Sequence, residues 1–461
     1  MEHLTRREAL LGMGALAAGV GLAGARAHAA EPGRKPNVIF ILADDLGYGD
    51  LGCYGQDRIK TPHLDRMAAE GMRFTQHYSG STVCAPSRCA LMTGMHTGHA
   101  RIRGNATVPL EPEDLTVAKL LKGAGYRTAL YGKWGLGEEG STGIPTRQGF
   151  DEFYGYLSQV HAHNYYPDFL WRNEVKEPLP GNVQDPKHRG VAPEGKQYSN
   201  DLITDEALKF VERTKGAPFF LYLALTLPHA NNEKFGATKN GMEVPDYGPY
   251  ANESWPDPQK GHAAMITRLD SYAGRVFEKL RELGLDDNTV VFFTSDNGTH
   301  KEGGADPEFF KSSGPLNGYK RSLHDGGIRV PMIVRWPGRI PQGKVNDTVW
   351  AFWDVLPTLA EIAGATAPSC DGVSELPTLL GNASPAHSPL YWEFHEGGFV
   401  QAVRDGDWKG VKAAKDKKLE LYNLVVDTGE KTDIAADHPD VVVRLETFLA
   451  GARTPAPPQW P

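Results

Sequence analysis

Apolar runs of strand length recur along the chain, and each stops at polar residues of the same few kinds. Asn37-Val38-Ile39-Phe40-Ile41-Leu42-Ala43 shows no alternation, the pattern of a parallel strand covered on both faces, and it ends at Asp44-Asp45. Residues 218–225 repeat the pattern and close on Thr226-Leu227-Pro228-His229, and residues 289–295 close on Asp296-Asn297-Gly298. Residues 126–131 lead into Gly132-Lys133-Trp134-Gly135-Leu136-Gly137, while 72–77 and 330–336 read as further strands. Helical spacing falls between them, over residues 61–71, 116–125, 260–283 and 351–363. Alternating strands and helices predict an α/β fold with a mixed, mostly parallel sheet sandwiched by helices. In such sheets ligands bind at the C-terminal ends of the strands, which is where these polar residues fall.

Beyond residue 372 the texture changes. Short strands at 389–395, 400–404, 408–413 and 419–423 precede a helix at 439–450, which predicts a smaller C-terminal α+β subdomain of antiparallel sheet plus helix. The chain is thus expected to divide into a catalytic domain at 35–385, that subdomain at 386–454, and a Pro-rich tail at 455–461. Residues 155–200, rich in aromatics, Pro and Gly, read as a long loop over the pocket. Within it Tyr165, Tyr166 and Trp171 either pack the loop itself or stack on a sugar ring.

At 461 residues and 40% hydrophobic content the chain can bury one large core and a smaller one. The net charge of −8 comes without a basic block, which argues against nucleic acid and leaves an anionic substrate needing a local positive pocket. The start of the chain reads as an export signal over residues 1–30. Thr5-Arg6-Arg7 precedes an uncharged Gly/Ala/Leu run, too short and glycine-rich for a stable membrane anchor, and small residues follow at 25–30. The paired arginines resemble a twin-arginine signal, which implies a periplasmic or secreted protein. Four cysteines, Cys53, Cys84, Cys89 and Cys370, make no disulfide framework in a chain of this size.

The chemistry concentrates in two places. Asp44, Asp45, Asp296 and Asn297 close two apolar strands about 250 residues apart with hard oxygen donors, which points to a divalent cation of the Ca²⁺ or Mg²⁺ type rather than zinc. The stretch Val83-Cys84-Ala85-Pro86-Ser87-Arg88-Cys89-Ala90-Leu91-Met92-Thr93-Gly94 puts a thiol at the start of a helix that Pro86 can open, with Arg88 one turn further on. Free N–H groups of that first turn are expected to form an anion cradle beside Cys84.

Cys84-x-Pro86-Ser87-Arg88 followed by Thr93-Gly94 resembles the signature of the type I sulfatases of the alkaline phosphatase superfamily. Matching pieces follow at Asp44-Asp45, Gly132-Lys133-Trp134, Pro228-His229, Asp296-Asn297 and Gly318-Tyr319-Lys320 through Pro331. The resemblance implies a sulfatase that hydrolyses sulfate monoesters of a sulfated carbohydrate, with aryl sulfates as surrogates. It implies that a formylglycine-generating maturation enzyme oxidises Cys84 to Cα-formylglycine, whose hydrated aldehyde attacks sulfur. Cys84, Arg88, Lys133, His229 and Lys320 would then be catalytic, with Lys133, His229 and Lys320 also binding substrate. Asp44, Asp45, Asp296, Asn297 and residue 84 would hold the metal, Ca²⁺ first and Mg²⁺ as the alternative. There is one departure: Gly135 stands where the family commonly has a histidine, and His161 or His163, preferably His163, is expected to take its place. Two other readings compete. One is a phosphomonoester or phosphonate monoester hydrolase of the same superfamily, the other a secreted carbohydrate-binding protein whose cysteine is never modified.

Overall fold

Strand β1 (Asn37–Ala43) is buried along its whole length, and its side chains divide between two cores. Ile39, Ile41 and Ala43 enter one, Val38, Phe40 and Leu42 the other. A strand that must satisfy both faces cannot alternate polar and apolar residues, which is why its sequence is a continuous apolar run. The computed structural model describes residues 34–188, 190–455 and 460, so the expected export signal at 1–30 lies outside the described residues.

The other strands up to residue 351 are β2 (Met72–Tyr78), β3 (Arg127–Lys133), β4 (Glu152–Tyr156), β5 (Phe169–Arg172), β6 (Val175–Pro178), the short pair β7 (Asn182–Val183) and β8 (Glu194–Gly195), β9 (Phe219–Ala224), β10 (Thr289–Ser295), β11 (Arg329–Arg335), β12 (Lys344–Asn346) and β13 (Trp350–Ala351). All but β7 and β8 join one sheet in the order β12-β2-β11-β10-β1-β9-β3-β4-β5-β6, with β13 beside β2. Its centre, β10-β1-β9-β3-β4, is parallel, and β11, β5 and β6 are antiparallel additions. Helices Pro62–Glu70, Ser199–Thr214 and Asp257–Glu282 cover one face, and Cys84–Thr93, Val117–Gly123 and Val355–Ile362 the other. This is the mixed, mostly parallel sheet between helices that the apolar pattern predicts. Among the described residues no helix is long and apolar enough to cross a membrane.

The second sheet is antiparallel, β14 (Leu390–Phe394), β15 (Val400–Asp405), β16 (Trp408–Lys412) and β17 (Glu420–Asn423) in sequential order, with the helix Pro439–Gly451 on one side. Trp392, Ala402, Val411 and Tyr422 face Tyr78, Ala351 and Trp353 of the larger sheet's surroundings, while Tyr391, Val403 and Leu421 pack under Leu445 and Leu449. Here the strands do alternate, each side facing a different partner.

Two expectations need correction. Residues 155–200 are not one long loop, since β5 and β6 form a hairpin that extends the main sheet, turning at Asn173 with φ 55°. Tyr165 and Trp171 are buried in core packing and Tyr166 is half-buried against Tyr198, so none of the three offers a free face above the catalytic cavity. In the Pro-rich tail, the Trp460 indole Nε1 donates to the Arg101 carbonyl at 3.0 Å. The four cysteines are free thiols.

A buried carboxylate ties the chain between the sheets. Asp354 accepts from the Ala351 and Val373 N–H groups at 2.7 and 2.9 Å and from His387 Nε2 at 2.8 Å. Burial alone would lower the His387 pKa, but the Asp354 charge outweighs it and raises the value from 6.5 to about 9. A folded-state pKa above the unfolded one contributes stability that is whole below pH 6.5 and disappears as the pH climbs through about 9. Nearby Glu375, pushed up from 4.5 to about 7 by burial, loses its own contribution across that lower range, mostly before His387 gives up its proton. The urea midpoint of the wild type should therefore fall between pH 7 and 9.5, and His387→Gln should flatten that slope. Parallel profiles would remove His387 from the stability curve.

Candidate active site

Parallel pairing places the ends of the central strands side by side. Ala43 of β1 is in register with Ser295 of β10, so Asp44 and Asp296 leave the sheet as neighbours. On the other side β9 leads to His229, and one strand further β3 ends in Lys133. Asp45 takes φ 66°, a left-handed conformation uncommon for a residue with a side chain, and its N–H donates to Asp296 Oδ1 at 3.1 Å. Gly298, next after Asn297, has no room for a side chain, since a Cβ there would meet the Gly326 carbonyl at 1.9 Å. That close approach brings the Lys320 segment to the same edge.

The nine residues expected from the sequence all gather here, and all are buried. Cys84 opens the helix Cys84–Thr93 with Sγ 3.4 Å from Asp44 Oδ1. Lys133 Nζ donates to Asp44 Oδ2 at 2.7 Å, and Lys320 Nζ to Asp45 Oδ2 at 2.8 Å. Arg88 reaches across with Nε and Nη2 to Asp296 Oδ2 at 3.0 and 2.8 Å and with Nη1 to the Lys133 carbonyl at 2.7 Å. Its guanidinium therefore organises the carboxylate cluster. Asn297 Nδ2 donates to Asp45 Oδ1 at 2.7 Å. His229 lies 3.1 Å from Lys320 Nζ through Nε2, while its Nδ1 bonds the Ala230 carbonyl at 2.7 Å.

These contacts set the charges. Burial opposes ionisation of Asp44, yet the charges of Lys133, Arg88 and Lys320 hold its carboxyl far below the usual range. Burial and the neighbouring Asp44 push Asp296 up to about 7 and raise the Cys84 thiol well above its ordinary value. Burial and Lys320 keep His229 neutral. With Nδ1–H directed at the Ala230 carbonyl, its Nε2 lone pair faces the Lys320 ammonium.

A hard cation fits this donor set. Asn297 Oδ1 is buried with no hydrogen-bond partner among the described residues, an acceptor left for something other than protein. Ligand atoms of Asp44, Asp45, Cys84 and His229 lie within 4.8 Å of one another. Asp44, Asp45 and Asp296 with Asn297 make the carboxylate-rich oxygen set that Ca²⁺ and Mg²⁺ take.

The expected anion cradle does not form. The Ala85 N–H donates to Asn105 Oδ1 at 3.1 Å and the Ser87 N–H to the Val83 carbonyl at 3.3 Å, so two of the donors such a cradle would use are already occupied. The two histidines offered in place of Gly135 separate. His161 packs between Tyr156 and Phe169 beside a neighbouring cavity. His163 lines the catalytic cavity, its ring stacked on His229 at 4.6 Å and its Nδ1 3.1 Å from Glu233. That cavity, of about 410 Å³, is also lined by Asn105, Glu138, Gln159, Asn232, Glu302 and Arg321, none of which the sequence singled out. Only Arg321 carried a signal, as the residue after Lys320 in a recognised motif.

Strand ends carrying carboxylates, a buried thiol and two lysines meet around one cavity, the set that the sequence resemblance to hydrolases of the alkaline phosphatase superfamily implied. The family model for sulfatases matches residues 36–365, and the model for the C-terminal region of N-sulphoglucosamine sulphohydrolase matches residues 318–452. The chain is 34% identical to N-acetylgalactosamine-6-sulfatase of Canis lupus familiaris, over 85% of this chain and 73% of that one. It is 29% identical to N-acetylgalactosamine-6-O-sulfatase of Bacteroides thetaiotaomicron, over 91% of this chain and 94% of the relative. The crystal structure of Ps i-CgsB in complex with k-i-k-neocarrahexaose superposes with a TM-score of 0.77 at 29% identity, covering 91% of this chain and 94% of that one. The chain belongs to the sulfatase family and is a sulfuric ester hydrolase.

Proposed function

We propose that this enzyme removes sulfate from a sulfated carbohydrate, with residue 84 as the attacking group after oxidation to Cα-formylglycine and with Ca²⁺, or alternatively Mg²⁺, held by Asp44, Asp45, Asp296 and Asn297 beside it. The observation that carries this is the Cys84 Sγ, 3.4 Å from a carboxylate of that oxygen set, at a cavity also lined by Lys320 and His229. When present, the cation supplies Lewis acidity and the oxidised residue a nucleophilic hydroxyl. The remaining work falls to the side chains.

Asp44, Asp45 and Asp296 balance Arg88, Lys133 and Lys320 in charge, so a dication leaves the site positive and selective for an anion although the chain as a whole is acidic. Lys133 and Lys320 would neutralise sulfate oxygens as compact charges. Arg88 would fix Asp296 and Asp44 in place and steady the attacking oxygen. The Lys320 ammonium, bonded to neutral His229, forms a pair suited to protonating the leaving alcohol. Carbohydrate is favoured over a flat apolar substrate because Asn105, Glu138, Ser158, Asn232 and Glu302 give the cavity hydrogen-bonding walls, and because relatives named for N-acetylgalactosamine 6-sulfate are among those matched. The same reading makes residues 1–30 a signal for export to the periplasm or beyond, and requires a maturation enzyme as a partner.

Protein made alongside that maturation enzyme should release sulfate from N-acetylgalactosamine 6-sulfate or a sulfated galactan oligosaccharide. A chelator should abolish the activity, and Ca²⁺ or Mg²⁺ should restore it. The kcat/KM for 4-nitrophenyl sulfate should exceed that for 4-nitrophenyl phosphate by at least about tenfold. The reverse ranking would assign the chain to phosphoester chemistry.

A further inference from the structure

Gln159 is among the polar side chains of the catalytic cavity wall that the chemistry above leaves without a task. Gln159 follows β4 and lines the same cavity as Cys84, His163, His229 and Lys320. Its carboxamide occupies the space directly over Gly135: a Cβ on Gly135 would fall 2.1 Å from Gln159 Nε2, and Gly135 holds φ 80°. The two segments are tied by the Gly135 N–H, which donates to the Leu157 carbonyl at 3.0 Å. Gln159 Nε2 is buried and, among the described residues, has no hydrogen-bond partner. Buried amide donors are nearly always matched, so the missing acceptor is expected from whatever fills the cavity.

The position narrows that acceptor. Gly135 lies two residues past Lys133, whose ammonium is bonded to the Asp44 carboxylate in contact with Cys84. The carboxamide that covers Gly135 thus belongs to the segment next to that lysine, on the wall of the cavity that Cys84 also lines. Resting on the sulfatase reading, we infer that Gln159 is a substrate-binding residue whose Nε2 donates a hydrogen bond to an oxygen of the bound sulfate ester, and that Gly135 is bare so that the carboxamide can lie there. A neutral donor suits this place, since it adds an interaction with the anion without another buried charge to balance.

An aryl sulfate tests the inference because it has no sugar. Gln159→Ala should lower kcat/KM for 4-nitrophenyl sulfate about tenfold, and Gln159→Glu, of the same shape but turning a carboxylate on the anion, by about a hundredfold or more. Unchanged turnover of this substrate in both variants would overturn the proposal. Gly135→Ala, whose methyl must displace the carboxamide, should reproduce the Gln159→Ala loss, and the double variant should lose no more than either single one. Additive losses would count against it. Inorganic sulfate, titrated at constant ionic strength, should give a saturable rise in the Tm of the wild type that Gln159→Glu lacks. Equal rises in the two proteins would overturn the inference. This last measurement needs no turnover, so a wild type inactive on aryl sulfate would weigh against the proposed function alone.

Discussion

Replacing Cys84 with alanine should abolish sulfate release, by roughly 10⁴-fold or more, while leaving the fold in place. The side chain is small and its single polar contact is the long one to Asp44, so the expected loss of stability is about 1 kcal/mol, within the range for deleting one buried group. Wild-type protein that turns over should carry an aldehyde, not a thiol, in the peptide spanning residue 84, readable by mass spectrometry. Full activity with an intact thiol would sink the proposed nucleophile, and residual activity in Cys84→Ala within tenfold of the wild type would do the same.

The second large effect is on stability and lies away from the cavity. Lys409 on β16 is fully buried, with Nζ 2.7 Å from Asp325 Oδ1 and 3.4 Å from Glu430 Oε1. Asp325 also accepts from Tyr78 Oη at 2.8 Å and pairs with Arg329, and it stays ionised far below the usual range because Lys409, Arg329 and Arg404 outweigh its burial. Lys409→Met keeps the volume and removes the charge, leaving Asp325 and Glu430 with less compensation in a site closed to water. Breaking a buried pair from one side costs about 3–5 kcal/mol, and a Tm lower by on the order of 10 °C is expected by thermal denaturation. Because Asp325 begins five residues after Lys320, a higher KM for the sulfate ester should accompany the loss. A shift under about 1 kcal/mol would mean that water reaches the network and screens its charges.

Much of this was legible in the chain. β1, β9 and β10 announce themselves because strands covered on both faces can carry no polar residues until they leave the sheet. The same rule places Asp44, His229 and Asp296 at ligand-binding ends. The hairpin β5–β6 escaped because its strands are four residues each, end in a proline and are interrupted by Asn173-Glu174, which is also how a loop is written. The helix Ser199–Thr214 did leave a trace in the spacing of Ile203, Ala207, Phe210 and Val211. The cradle at the Cys84 helix was misjudged because Asn105, twenty residues on, supplies the acceptor. No local pattern foretells such a partner, or the meeting of Gln159 with Gly135, or the burial of Lys409 on a strand only five residues long. These pairings exist only once the chain has closed.

The depth of residue 84 has a consequence for how active enzyme is made. The residue is 2% exposed and sits behind a cavity of about 410 Å³, too small to admit another protein's catalytic centre in the finished molecule. On the proposed chemistry, oxidation and folding compete for the nascent chain. A molecule that closes its sheet first is permanently silent, and the specific activity of a preparation reports the outcome of that race.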